Sequence, residues 1–235
     1  MEDNIDSKVV GNRRFIIELR FDYNAFFFDK KGSIIESIKK LNLFPSFQWE
    51  VGMAEISIFD NKERSELRNL VTVNTNRFSF MSSKIDSIGK FYDDYDRIYT
   101  IIINEIGELT VRRIGCRIQG TYKTKSKDFH TILGKMKYDF PAQFYLEGYP
   151  MTDMSFQLNY ENGMYRIGPI NKTKDPFVEQ NFTFKERENH VGVAIDTDNY
   201  LTNEKQPINE KKLIKDTLTL SLSIEKDLYS NIKDF

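Results

Sequence analysis

The order of its hydrophobic patterns constrains this chain more than any single motif. From residue 14 to 106 an apolar strand, a helix, a run of strands and a long helix follow one another. The same order returns from 108 to 232. A strand-helix-strands-helix unit used twice predicts one curved, largely antiparallel sheet with helices mainly on one face, an α+β arrangement. Helices on one side leave the other sheet face free for contact. The expected organisation is a flexible N-terminus over 1–13, a first β-α-β-α half over 14–107 and a second over 108–235, the halves making one compact unit.

The individual elements rest on periodicity. Phe15, Ile17, Leu19 and Phe21 alternate with Ile16, Glu18 and Arg20, which is the period of a strand. Ser33 and Glu36 have the spacing of a capping box ahead of Ile34, Ile35, Ile38 and Leu41, so a helix is expected to start there. Residues 47–59 read as one strand with Trp49, Val51 and Met53 on one side, and Asn74-Thr75-Asn76 as the turn of a hairpin. Ile85, Ile88, Tyr92, Tyr95, Tyr99, Ile102 and Ile106 recur at helical spacing up to Gly107, a C-terminal cap.

The second pass opens with a strand over 109–119 and a short helix carrying Phe129, Ile132, Leu133 and Met136. A meander over 144–195 follows. Its turns fall at Tyr149-Pro150, Glu161-Asn162-Gly163, 171–176 and 186–189, with the Asn162-Gly163 pair as the strongest hairpin signal. Residues 196–208 read as a polar loop. Leu218, Leu220, Leu222 and Ile224 alternate like a strand, but Leu213, Thr217, Leu220, Ile224 and Leu228 fit a helix equally well. The Glu/Lys-rich flanks and the length favour a helix capped near Asn209.

Composition narrows the function classes. Aromatic residues make up 14% of the chain, ample for a packed core, and the formal net charge of −1 supplies no whole-chain attraction for nucleic acid or an anionic membrane. Cys116 is the single cysteine, so no internal disulfide forms, as suits a reducing cytoplasm. The N-terminus is acidic and polar, unlike a signal peptide, and the apolar runs at 25–28 and 101–103 are too short to cross a bilayer. A cytoplasmic location without membrane contact follows as the expectation. The sequons at Asn171 and Asn181 then carry no weight.

Catalytic patterns are sparse. His130 and His190 are the only histidines, and no pair of ligand types has metal spacing, so neither a metal nor any other cofactor is expected. A Cys116–His dyad is weighed against a core thiol, because Cys116 alternates with the apolar Ile114 and Ile118. Asp93-Asp94-Tyr95-Asp96 belongs to the polar face of the long helix. Asp196-Thr197-Asp198-Asn199 lacks the glycine and glutamate of a calcium loop. Neither phosphate-cradling glycine motif nor a nucleophile elbow occurs.

Two features point to binding. Arg112, Arg113, Arg117, Lys123, Lys125 and Lys127 occur in one segment without an acidic residue among them, and Tyr122 lies between them. A strand would set Arg113 and Arg117 on one face, opposite Ile114 and Ile118. Such a stripe could hold phosphates with Tyr122 stacking on a base, or it could be a sheet face whose arginines pair with carboxylates of neighbouring strands. Phe26, Phe27 and Phe28 are the second feature. Three consecutive aromatics cannot all point inwards, so one or two are expected either in a partner-binding patch or under the first helix.

Ile17-Glu18-Leu19-Arg20-Phe21 resembles the E-[IV]-R-F opening strand of a sporadically distributed, uncharacterised bacterial family of cytoplasmic proteins of about this length. Val111–Ile118 resembles its mid-chain R-I-G-L-R segment, with Cys116 where that family carries leucine, and Leu218–Ile232 sits where the family ends in a leucine-rich helix. The resemblance implies a cytoplasmic accessory protein, without a catalytic residue to carry over, in mobile or defence-associated loci. Fold-level analogy with the saddle of the TATA-binding protein fits two related halves and carries no function with it. The expectation is a non-enzymatic interaction or regulatory subunit of an anti-phage defence or toxin–antitoxin system, its partner another protein or a second copy. The alternative is nucleic-acid binding through 112–127, and the third is an enzyme without a recognisable motif.

Overall fold

A computed structural model describes residues 8–63, 66–83, 87–139, 153–170, 191–202 and 210–235. The elements are β1 (Val9–Phe21), α1 (Phe27–Lys39), β2 (Gln48–Val51), β3 (Glu55–Phe59), β4 (Asn69–Asn74), β5 (Arg77–Ser82), α2 (Ile88–Ile106), β6 (Val111–Tyr122), α3 (Phe129–Asp139), β7 (Phe156–Tyr160), β8 (Gly163–Pro169), β9 (Val193–Thr202) and α4 (Glu210–Ile232). The class is α+β. One open antiparallel sheet runs in the order β2-β3-β4-β5-β1-β6-β9-β8-β7, and among the described residues a strand, a helix, strands and a helix follow one another twice. The opening strands of the two passes, β1 and β6, are neighbours in that order. The turns at 149–150, 171–176 and 186–189, Ile85, His190, Asn209 and the sequons lie outside the described residues.

The chain divides into two compact units that interleave along the sequence. One combines Arg14–Arg117 with Asp198–Ser221. The other combines Met1–Arg13, Ile118–Thr197 and Leu222–Phe235.

In the first unit the odd positions of β1 face α1 and α2. Leu19 lies opposite Phe78 and Ile17 opposite Phe80 in the β1–β5 ladder. Phe78 stacks on Tyr95 at 5.6 Å and Phe80 on Phe91 at 5.3 Å, so the strand period and the helix period meet in one aromatic layer. Ser87 caps α2 by accepting the Lys90 N–H at 3.1 Å, and Gly107 ends it at φ 86°, a conformation suited to glycine. On the other side of the sheet Phe59, Leu67 and Met81 form a small apolar cluster with Ile16 and Leu70. Asp60 fixes the segment that delivers Leu67 by accepting the N–H groups of Arg68 at 2.9 Å and Asn69 at 3.1 Å.

Four expectations are corrected here. The first strand begins at Val9, earlier than the apolar alternation indicates. Ser33 does not cap a helix, because α1 has already started at Phe27. The chain enters it through Asn24, whose Oδ1 accepts the Phe26 N–H at 3.0 Å, while Ser33 and Ser37 both donate to Glu105 of α2. Residues 47–59 are a hairpin and not one strand. Gly52 closes it by donating its N–H to the Glu55 carbonyl at 2.8 Å. Residues 196–202, read as loop, continue β9, and the polar Asp196, Thr197 and Asn199 among them are buried against partners on other elements. One such pair, in the first unit, is Asn199, which donates to Ser221 at 2.8 Å.

The second unit packs Ile132 and Met136 of α3 against Ile167, Val193 and Ile195 of the sheet and Tyr229, Ile232 and Phe235 of the chain end. Asp128 starts α3, accepting both the N–H and the hydroxyl of Thr131 at 2.8 Å. Tyr160 pairs with Gly163, so Glu161 and Asn162 make a two-residue hairpin loop where the Asn-Gly signal lies.

Candidate functional site

The basic segment does not act as one stripe. In the first unit Arg113 crosses from β6 to Glu18 of β1 at 2.9 Å, approaches Asp198 of β9 at 3.8 Å, and lays its guanidinium over Tyr200 at 5.0 Å. Glu18 also accepts from Arg20 at 2.9 Å and lies 3.9 Å from Arg77, whose other nitrogen reaches Glu55 at 2.7 Å. Arg20, Arg77 and Arg113 are thus matched by Glu18, Glu55 and Asp198 across five strands. Arg112 forms a two-pronged pair with Asp22, at 2.9 and 2.7 Å, and this holds the Asp22 carboxyl below the usual carboxylate range. Arg117 is half-buried. The local field of this sheet face is close to cancelled, which is the carboxylate-paired arrangement that the sequence leaves open. Gly115 has a steric role here. A Cβ on it would lie 2.9 Å from a guanidinium nitrogen of Arg113.

In the second unit Tyr122 is fully buried, so no base can stack on it. Its hydroxyl donates to Glu225 of α4, and Arg13 of β1 donates through two nitrogens to the same carboxylate. The Glu225 side chain is wholly buried and that of Arg13 is only 11% exposed. Burial, and then the Glu225 charge, push the Tyr122 hydroxyl well above its ordinary value, so it remains a donor. Gly120 is required beside it, because Tyr122 lies back along the strand and its Cζ would stand 2.7 Å from a Cβ there. Sequence reasoning missed this cluster. Its trace is Glu225 on the buried stripe of α4 together with Ser221, Tyr229 and Ile232. Lys123, Lys125 and Lys127 follow Tyr122 on an exposed segment and form no ion pair among the described residues.

Cys116 is fully buried in the first unit, with its Sγ 3.7 Å from the Ile214 carbonyl. Burial above all, and the Asp198 charge after it, raise the thiol far above the range in which a thiolate forms. Among the described residues no group of His, Cys, Asp and Glu could hold a metal ion. A cleft of about 220 Å³ is lined by Leu43, Arg68, Phe80, Lys90 and Asp94, but Asp94 already pairs with Lys90 at 2.9 Å and Arg97 at 3.5 Å.

The aromatic run separates by depth. Phe27 is fully buried, whereas Phe26 is 69% and Phe28 44% exposed. Lys31 sits 5.2 Å from the Phe28 ring and donates to the carbonyls of Gly52 at 3.0 Å and Met53 at 2.5 Å. It ties α1 to the β2–β3 turn. Met53 is 92% exposed, and Trp49 and Val51 of β2, the outermost strand, are half exposed. Phe28 stands on α1, Trp49 and Val51 on β2, and Met53 in the turn that follows, so these exposed apolar side chains are held by an ordered backbone. Neither the family models nor the curated proteins searched contain a match to the chain. No described helix is long and apolar enough to cross a membrane.

Proposed function

We propose that the protein is a non-enzymatic cytoplasmic interaction or regulatory subunit that binds another protein, serving an anti-phage defence or toxin–antitoxin system. The observation that carries the binding role is the exposed apolar group of Phe28, Trp49, Val51 and Met53, held in place by Lys31. Full burial of one such side chain contributes about 1.5–3 kcal/mol, so a few suffice for a specific contact. The tagged full-length chain, purified from cells that carry its native operon, is expected to bring down a stoichiometric macromolecule or a second copy. A strictly monomeric protein with nothing bound overturns the reading.

Nucleic-acid binding is the second reading, and the exposed Lys123, Lys125 and Lys127 favour it. Charge reversal at these three should abolish retention of single-stranded RNA or DNA at low salt. Absence of binding by the natural chain at low salt ends this reading, since phosphate contacts are strongest there.

A further inference from the structure

β2 ends the sheet, and among the described residues no strand pairs with its outer edge. The phase of its backbone follows from the hairpin. Gly52 donates inwards to Glu55, and the ladder pairs Gln48 with Phe59 and Glu50 with Ser57. Antiparallel ladders alternate, so Gln48 and Glu50 turn their backbone groups towards β3. The N–H and C=O groups of Trp49 and Val51 point out of the sheet. Phe47, one residue before the strand, continues that phase.

We infer that this edge pairs with β2 of a second copy, antiparallel, across a two-fold axis at Trp49. The proposal names the partner for the binding role above and rests on that reading. Three alternatives fail on the same residues. A register in which Trp49 faces Glu50 of the other copy sets outward groups against inward ones and forms no ladder. A register centred on Glu50 opposes two carboxylates directly, a destabilising arrangement. One centred on Gln48 sets Val51 against Pro45, which has no N–H to donate. Centred on Trp49, the two tryptophans face each other, Val51 faces Phe47, and Gln48 faces Glu50 as an amide to a carboxylate. Every outward group of Trp49 and Val51 then finds a backbone partner. The apolar row Phe47, Trp49 and Val51 of one copy continues in the other. Lys62 lies 3.0 Å from Glu50, which leaves that carboxylate compatible with an amide neighbour.

Sedimentation velocity on the full-length chain tests this, with circular dichroism to confirm folding. The natural chain should be a dimer. Val51→Pro removes one outward N–H without touching the β2–β3 ladder and should give monomer. Gln48→Glu, a surface change that leaves the fold intact, sets a carboxylate against Glu50 twice and should weaken the dimer at least about tenfold at low salt, which is about 1.4 kcal/mol. Glu50→Gln should leave it unchanged. A natural chain that is monomeric at every concentration overturns the proposal, and so does a dimer indifferent to both Val51→Pro and Gln48→Glu. A monomer that still brings down a different macromolecule from its operon rejects the edge pairing alone. A monomer that brings down nothing rejects the binding role as well.

Discussion

Two arginines, both on strands, meet carboxylates in different surroundings. Arg13 meets Glu225 where both side chains are out of water, and Tyr122 completes the set. Arg113 meets Glu18 with about a fifth of each side chain exposed, and Asp198 and Tyr200 lie beside it. The chemistry is the same and the cost of breaking it is not. A buried carboxylate that loses its partners has no water to turn to, whereas one already a fifth exposed is resolvated more readily. The first cluster therefore specifies the packing of the second unit, and the second keeps a sheet face polar and nearly neutral.

Substitutions can break this contrast. The largest effect is expected from Arg13→Met, which leaves Glu225 charged and buried. It should cost about 3–5 kcal/mol in urea unfolding, and the double variant Arg13→Met, Glu225→Leu should recover much of that loss. Gly120→Ala comes next. Its Cβ cannot coexist with the Tyr122 ring as placed, so overpacking should cost about 1–3 kcal/mol. Gly115→Ala is the matched control, because the intruding Cβ meets only the movable end of Arg113, and its cost should fall below about 1 kcal/mol. A Gly115→Ala loss as large as that of Gly120→Ala would erase the distinction between the clusters. Arg113→Ala should cost less than about 1 kcal/mol and lose that effect in high salt, whereas the Arg13→Met penalty should persist there.

The smallest effect is the pH dependence of the α3 cap. Hydrogen bonds from Thr131 hold Asp128 below its ordinary value. A carboxyl lowered by folding adds stability above its unfolded value and loses that contribution as pH falls through its folded value. The stability difference between the natural chain and Asp128→Ala should therefore be present at neutral pH and vanish on acid titration.

What was legible in the sequence follows from locality. The alternation of β1, the aromatic spacing of α2 and the Asn162-Gly163 hairpin are local signals, and they appear where the patterns place them. Within 196–202 the polar Asp196, Thr197 and Asn199 are buried, because Gln119 and Ser221 supply hydrogen bonds to two of them, and neither is adjacent in sequence. The β2–β3 hairpin was hidden because Trp49, Val51 and Met53 stay in phase through the turn at Gly52. Tyr122 looked available because its neighbours are basic. Its burial depends on Glu225, more than a hundred residues further on.

Neither unit is contiguous along the chain. The first needs Asp198–Ser221, and the second needs both Met1–Arg13 and Leu222–Phe235. A nascent chain leaving the ribosome thus cannot finish the first unit until residue 221 has emerged, although residues 14–117 precede it by far. The single helix α4 contributes residues to both units.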